Sequence, residues 1–469
     1  MQGVRDNGGK ISGANLTELK GCGAMIRNLT GMFMCRDRLP YYAMLAEGGD
    51  DLFRPLLRWY AALLPMALRR TQLWFAQTDA AGQNLRTRNV HGAWFLETMT
   101  QFGTFVPSEK GYHCTSVREA NWTVDWAGNV AVNLHREGSV ELLMLGVDYV
   151  EHTLDRAEFE ATVLPLSVAI TNFVISYYVQ KGGRLEIWPT QSLEGYRPGG
   201  FPLTKNNCIS NDMPWVAGLH AVLPRLIRLA NATAGLEGIA TTAQLERWSN
   251  LQSSLPPLPT TTRGENEVFA AAQVPYPPGA IVGGSEQPYM YPVHPYRLAA
   301  VMGNSSLLKI GRNTIGYNAS HPSHSAIASG QGWQQEVMNV ALLGLRSEAM
   351  AAVLAHAKTM NAQMRFPTYL PSMQDFRPNE DHLSNMRSAL QYMLVQHSDM
   401  NSARTIGLLP SWPCGNWSVA FKVHAPLRTT LQGDYDHVTR HLRVRIDPPE
   451  RKADVVVMGC VAPENFDIA

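Results

Sequence analysis

The sequence predicts a mainly α protein, a toroid of paired helical hairpins followed by a small C-terminal antiparallel β domain. Three observations predict it. Helical periodicity dominates from about residue 41 to about residue 400. The helical segments come in pairs, about ten of them, which suits a toroid better than a four-helix bundle. After Leu409 the apolar pattern changes to period two. At 469 residues the chain is long enough for two or three structural units. We divide it into an irregular N-terminal segment 1–34, a helical barrel 35–408 and a β domain 409–469.

Asp50 and Asp51 open the first long helix, with Leu52, Leu56, Leu63 and Ala67 on one face and Pro65 as a kink, reaching about Trp74. Residues 138–152 and 156–180 form a helical pair split at Leu154-Asp155. Asn211 is the expected cap of a helix with Pro214 in its first turn and Pro224 inside it, and a partner helix runs from about Thr242 to Leu255. Gln334–Leu345 and Glu348–Met360 make another hairpin. The last helix spans His382 to His397, with Leu383, Met386, Leu390, Met393 and Leu394 inward. Two Pro-rich stretches, 255–259 and 275–279, read as connections between helices. In the β domain, Val419, Phe421 and Val423 alternate, then Leu442, Val444 and Ile446, then Val455 to Met458, with a turn expected at Gly433-Asp434.

Composition excludes several functions. Net charge is +1 and there is no basic block, which argues against nucleic acid. The run Thr162–Gln180 is uncharged, but Pro165, Ser167, Thr171, Asn172 and Ser176 punctuate it, so it reads as a buried helix and not a membrane span. The six cysteines form no CxxC and have no metal-like spacing, so we expect neither metal nor cofactor. Seven Asn-x-Ser/Thr sequons, at Asn15, Asn28, Asn121, Asn231, Asn304, Asn318 and Asn416, favour a secreted glycoprotein. No apolar signal-peptide core stands in the first 30 residues, and the Gly-rich opening suggests an incomplete amino terminus. There is no HExxH, GxSxG, P-loop or GxGxxG, and His321-Pro322-Ser323-His324 is a poor metal pair because of its proline.

Two carboxylates stand out. Glu194 lies in the peptide Ile187-Trp188-Pro189-Thr190-Gln191-Ser192-Leu193-Glu194-Gly195-Tyr196, among aromatic and small residues with no adjacent base before Arg197. Partial desolvation there would keep it protonated, as a general acid requires. Asp381 opens a helix after Pro378-Asn379-Glu380, where free N–H groups and the helix dipole favour its ionised form, as a general base requires. An exposed loop glutamate and a plain helix-start aspartate are the competing readings. Glu97, Asp125, Asp375 and Glu380 are rival carboxylates that local sequence does not rank. Aromatic faces stack on sugar rings, though most of the eleven Trp and sixteen Tyr fill core.

These segments resemble glycoside hydrolase family 95. The run Pro189-Thr190-Gln191-Ser192-Leu193-Glu194, followed by a helix at Asp212-Met213-Pro214-Trp215, is similar to the family's acid-bearing segment. Asp381, with Met393-Leu394-Val395-Gln396 ending its helix, is similar to the base-bearing one. Leu408-Leu409-Pro410-Ser411-Trp412-Pro413 resembles the junction to the family's C-terminal β domain. Residues 35–460 look closest to an uncharacterised branch of these six-hairpin glycosidases, through Asp37-Arg38-Leu39-Pro40-Tyr41-Tyr42, Gly332-Trp333-Gln334-Gln335 and Phe421-Lys422-Val423-His424-Ala425-Pro426. The resemblance implies an (α/α)6 barrel and an inverting exo-glycosidase, α-L-fucosidase or α-L-galactosidase-like. Glu194 is then the acid and Asp381 the base, with Glu97, Trp94, Trp188, Tyr196, His294 and Trp333 binding a carbohydrate substrate. Two departures stand against it. The family's water-polarising Asn pair has no counterpart around Met34 to Arg36, and its N-terminal β-sandwich is missing. The alternatives are therefore a fragment, or a non-catalytic glycan-binding relative that has lost water activation. A polysaccharide lyase on a similar toroid is a third reading, and it would need a strongly basic cleft.

Overall fold

Local chemistry explains most helix boundaries in the computed structural model of the chain, which describes residues 31–33, 38–74, 89–95, 98–100, 134–200, 203–283, 287–319, 335–358, 381–398, 404–459, 461 and 465–468. Helices dominate. They are α1 (Leu39–Met44), α2 (Asp50–Trp74), α3 (Gly138–Thr153), α4 (Arg156–Tyr177), α5 (Met213–Ala232), α6 (Thr242–Ser254), α7 (Ser305–Ala319), α8 (Glu336–Leu342), α9 (Arg346–Lys358) and α10 (Asp381–Leu394).

The break between α3 and α4 falls at the expected place. Leu154 takes a left-handed conformation that ends α3, and the Asp155 side chain accepts from the Glu158 N–H to start α4. Pro165 has no N–H to offer the Ala161 carbonyl, and α4 widens into a π turn over Phe159–Val163 just before it. By length and composition α4 could cross a membrane. Its Phe159, Val163, Leu166, Ile170, Phe173, Val174 and Tyr177 nevertheless pack into the main core. Thr241 caps α6 through the Gln244 N–H.

Three sequence expectations need correction. The buried face of α2 is Phe53, Leu56, Leu57, Tyr60 and Ala67, whereas Leu52 is 65% exposed. The cap of α5 is Asp212, not Asn211, which has φ +50° and accepts from the Ile187 N–H instead. In α10, Met393 and Leu394 are buried as expected, but the rest of the buried face is Ser384, Asn385, Ser388 and Ala389, while Leu383, Met386 and Leu390 are half-buried, and the last turn is replaced by a strand.

Consecutive helices pack as pairs: α1 on α2, α3 on α4, α5 on α6 and α8 on α9. The first members also touch one another. Helix α3 runs parallel to α5, with Val140 opposite Gly218 at one end and Asp148 and Glu151 bonded to Arg225 at the other. Arg38, just before α1, and Tyr42 within it bond Glu141 of α3. Helix α10 packs on both α1 and α8. Residues 288–301 link α5 to α8, because Tyr296 meets Gly218 and the Val301 N–H donates to Leu342 O. Arg297 in this segment reaches Asp148 at 2.5 Å.

The strands are short until the C terminus. β1 (Gly31–Phe33) pairs with β2 (Thr98–Thr100), β3 (Val179–Lys181) with β4 (Arg184–Glu186), β5 (Tyr196–Arg197) with β8 (Ile281–Val282), and β6 (Thr260–Arg263) with β7 (Asn266–Phe269). The C-terminal sheet has β11 (Val419–Ala425), β12 (Thr429–Asp436) and β13 (His441–Asp447) antiparallel, and β15 (Phe466–Ile468) parallel to β13. Its buried residues are the alternating Phe421, Val423, Leu431, Tyr435, Leu442, Val444 and Ile446. Gly433-Asp434 is not a turn but lies within β12, and a Cβ at Gly433 would stand 2.2 Å from Arg443 O. The turn before β12 uses Leu427 and Arg428, both at positive φ. A second sheet, β9 (Val395–His397), β10 (Ile406–Leu408) and β14 (Val455–Val457), pairs residues on both sides of the expected 408/409 boundary.

The β unit caps helix ends. The N–H groups of Leu427 and Arg428 donate to Glu151 O and His152 O, and the Arg428 side chain to Thr153 O, all terminal carbonyls of α3. The His424 N–H donates to Ala46 O just after α1. The C-terminal ends of α1 and α3 are thus covered by strands, and the candidate site lies by the N-terminal ends of α3 and α5.

Candidate active site

Backbone and side-chain hydrogen bonds fold the segment Ile187–Arg197 into a tight loop. The Ser192 and Tyr196 backbones exchange two hydrogen bonds, at 2.8 and 3.2 Å, so Leu193, Glu194 and Gly195 form a three-residue tip. Leu193 stands at φ +49°. Glu194 is half-buried at this tip, and its carbonyl accepts from Arg197 at 3.0 Å. Behind it, Thr190, Gln191 and Ser192 are fully buried. Gln191 accepts from the Leu134 N–H and donates to Leu193 O. Thr190 Oγ donates to the Asp212 carboxylate at 2.5 Å, and the Cys208 thiol donates to Thr190 O at 3.2 Å. Burial pushes that thiol up to about 12, so it is an anchor and not a nucleophile.

Aromatic residues flank the loop. Trp188 is half-buried against Leu134, Leu203 and Cys208, with the Lys205 ammonium 4.2 Å above its ring. Its indole N–H has no partner among the described residues. Tyr196 meets Tyr276 edge-on at 5.5 Å, and burial raises its hydroxyl to about 12. Tyr289 lies in the same cluster. Burial pushes its phenol up first, helped by Tyr196, Glu336 and Tyr276.

The two other described sugar-binding candidates do not join this loop. Trp94 is 0% exposed, and the Arg136 guanidinium covers its ring at 4.6 Å. His294 is 1% exposed between Tyr42 and Tyr392, with ring centroids at 4.7 and 6.0 Å. Burial, then the charges of Arg38 and Arg297, hold its imidazole well below the usual range and therefore neutral. Both are core residues with no face turned to solvent. Glu97, Trp333 and the side chain of Asp381 lie outside the described residues, although Asp381 is the first residue of α10, as expected.

The fold adds carboxyls that local sequence did not rank. Glu137 stands at the N-cap of α3, Asp212 at the N-cap of α5 and Glu336 at the first position of α8. All three are at least 96% buried. Glu137 pairs with His135. Asp212 also accepts from the Trp215 N–H at 3.1 Å. Burial, then the Glu137 charge, push Asp212 well above the usual carboxylate range. Burial raises Glu336 to about 7, and the Gln287 amide donates to it. The cap signal Asp212-Met213-Pro214 could have marked Asp212. Nothing local marks Glu336, whose burial comes from distant segments.

Several buried polar atoms at this end lack a hydrogen-bond partner among the described residues: Ser192 Oγ, Trp215 Nε1, Tyr289 Oη, Ser384 Oγ and Ser388 Oγ. Such groups call for water or a hydroxyl-rich ligand. The opposite end is less suited to a sugar. The cavity lined by Tyr42, His152, Tyr392, His397 and His424 is only about 50 Å³. A groove of about 640 Å³ beside it is open, and its Arg156 and Arg428 are committed to backbone carbonyls. Among the described residues no group of three or more His, Cys, Asp or Glu could hold a metal ion. No protein-family model matches the sequence, and no curated protein matches it.

Proposed function

We propose that the chain is an inverting exo-glycoside hydrolase, α-L-fucosidase or α-L-galactosidase-like. Glu194 donates a proton to the leaving oxygen, and Asp381 deprotonates the attacking water. The observation that carries this reading is the anchoring of the Glu194 loop. Its buried Thr190 is bonded to the cap of α5, so a half-buried carboxyl is held at a tight, aromatic-flanked tip. A general acid needs that fixed position and partial desolvation. Asp381 opens α10, where the helix dipole favours a carboxylate.

The contacts among inner elements support an (α/α)6 toroid. In this reading α1, α3, α5, the segment 288–301, α8 and α10 form the inner ring, and their partners the outer one. The known starts then meet at one mouth: Glu137, Asp212, Tyr289, Glu336 and Asp381 all belong to the N-terminal ends of inner elements. A secretory destination fits the same reading. Cys414 is disulfide-bonded, and the sequon residues Asn231, Asn304 and Asn416 are exposed.

A panel of 4-nitrophenyl glycosides assayed with wild type, Glu194→Gln and Asp381→Asn tests the proposal. Wild-type turnover of a neutral glycoside is expected, reduced by roughly 10²–10⁴-fold in Asp381→Asn, whereas Glu194→Gln should be slowed that much only on glycosides with alkyl or sugar leaving groups, because 4-nitrophenolate departs without a proton. Glycan binding that survives both changes, with no turnover by any form, would instead identify a glycan-binding protein.

A further inference from the structure

The Tyr289 phenol is the starting point. It is 9% exposed, and its oxygen is buried with no partner among the described residues. A phenol in that position normally finds one. Around it stand Tyr196, which follows the Glu194 tip by two residues, Tyr276, and the carboxyl of Glu336. Glu336 comes from a different part of the chain and is 4% exposed. Its one described side-chain partner is the Gln287 amide, two residues before Tyr289. No guanidinium or ammonium among the described residues is paired with it, which is unusual for so buried a carboxyl.

We propose that Glu336 and Tyr289 form a sugar-hydroxyl subsite next to the Glu194 tip, the Glu336 carboxyl and the Tyr289 phenol each hydrogen-bonding a hydroxyl of the bound glycon. The assignment rests on the hydrolase reading above and adds substrate-touching residues that the sequence did not suggest. A carboxylic acid kept neutral in an apolar site can donate a hydrogen bond, which an ionised one cannot. Burial holds Glu336 near 7, so the donor is present in acid and lost as the pH rises through neutrality. The groups facing it are Gln287 and Tyr289 from the preceding segment, with Tyr196 and Tyr276 beyond. Helices α9 and α10 also pack on α8, and their buried polar residues are His356 on α9 and Ser384, Asn385 and Ser388 on α10. A neutral hydroxylated ring suits such a lining.

The test uses the full chain and the 4-nitrophenyl glycoside that wild type turns over fastest, with kcat and KM measured from pH 5 to 9. Glu336→Gln keeps the shape and can still accept from Gln287, and Tyr289→Phe keeps the ring. The expected result is a KM about tenfold higher in Tyr289→Phe, the loss of a single hydrogen bond, while Glu336→Gln, whose amide donates as the neutral acid does, keeps its KM in acid and does not lose it as the pH rises. The fall of kcat/KM near pH 7 should persist in Tyr289→Phe and vanish in Glu336→Gln. A merely structural role would not remove that limb. If Asp381→Asn abolishes turnover while Tyr289→Phe leaves KM unchanged and Glu336→Gln leaves the pH profile unchanged, the subsite is wrong and the hydrolase reading stands. If wild type turns over no member of the panel, both are overturned.

Discussion

Thr190 Oγ donates to the buried Asp212 carboxyl at 2.5 Å, tying the loop that carries Glu194 to the N-terminus of α5. The bond joins a helix cap to a candidate acid four residues away, so a change at Asp212 should act on both. Asp212→Ala removes the cap and takes away the acceptor of the buried Thr190 hydroxyl. We expect a loss of about 1–3 kcal/mol in stability. Denaturant unfolding measures the loss. Trp188 fluorescence, reported as a difference from a Trp188→Phe background, should shift as the loop loosens.

Gly218 fixes the spacing of α3 and α5. A Cβ there would lie 2.7 Å from the Tyr296 ring and hydroxyl and 2.8 Å from a Val140 methyl. In an isolated helix Gly→Ala stabilises by about 1 kcal/mol. Here overpacking wins, because both neighbours are 0% exposed and cannot move aside. Gly218→Ala should lower stability by about 1–3 kcal/mol, read as a lower denaturant midpoint. A raised midpoint would mean the helices are further apart.

Arg225 bonds Asp148 and Glu151, each at 2.6 Å, and Arg297 reaches the same Asp148 oxygen. All four side chains are buried. Arg225→Ala leaves Glu151 with the half-buried Arg228 and Asp148 with Arg297, and should cost about 3–5 kcal/mol. Arg225→Met, which keeps the volume, should cost about as much because the carboxylates remain. Thermal melts of the two variants check this.

Stability should fall between about pH 4.5 and 7 through Glu336. Its ordinary value is 4.5 and its folded value about 7, so in that window the folded state holds a proton that the unfolded state has released. Raising the pH then favours unfolding, by up to roughly 3 kcal/mol once the pH exceeds 7. Asp212, also raised, adds in the same direction. Burial lowers His152 to about 3, so it acts with the opposite sign and costs stability as pH falls below 6.5. Glu336→Gln should be flatter than wild type between pH 4.5 and 7 in denaturant melts. An unchanged slope would contradict the burial of this carboxyl.

Features set by neighbours in sequence were legible. The Leu154-Asp155 break, the start of α2 at Asp50 and the alternation of Val419, Phe421 and Val423 depend on caps and periodicity. Features set by distant partners were not. Leu52 fits the apolar stripe of α2 as well as Phe53 does, but the rings of Tyr41 before α2 and Tyr149 on α3 pack on Phe53. Gly433 reads as a turn because the neighbouring strand that requires a glycine is ten residues away at Arg443. The inward face of α10 is polar at Ser384, Asn385 and Ser388, against the usual expectation that Leu and Met point inward. Of the candidate site, Trp188, Glu194 and Tyr196 were visible because they share one peptide, while Glu137 and Glu336 gain their burial only from the assembled helices.

The most direct measurement is the anomeric configuration of the sugar first released from a cleaved aryl glycoside, followed by proton NMR before mutarotation. An acid and a base set roughly 6.5–9.5 Å apart act through an intervening water, so the account predicts a product of inverted configuration. A product of retained configuration would contradict it, since it requires a covalent intermediate on a closer carboxylate.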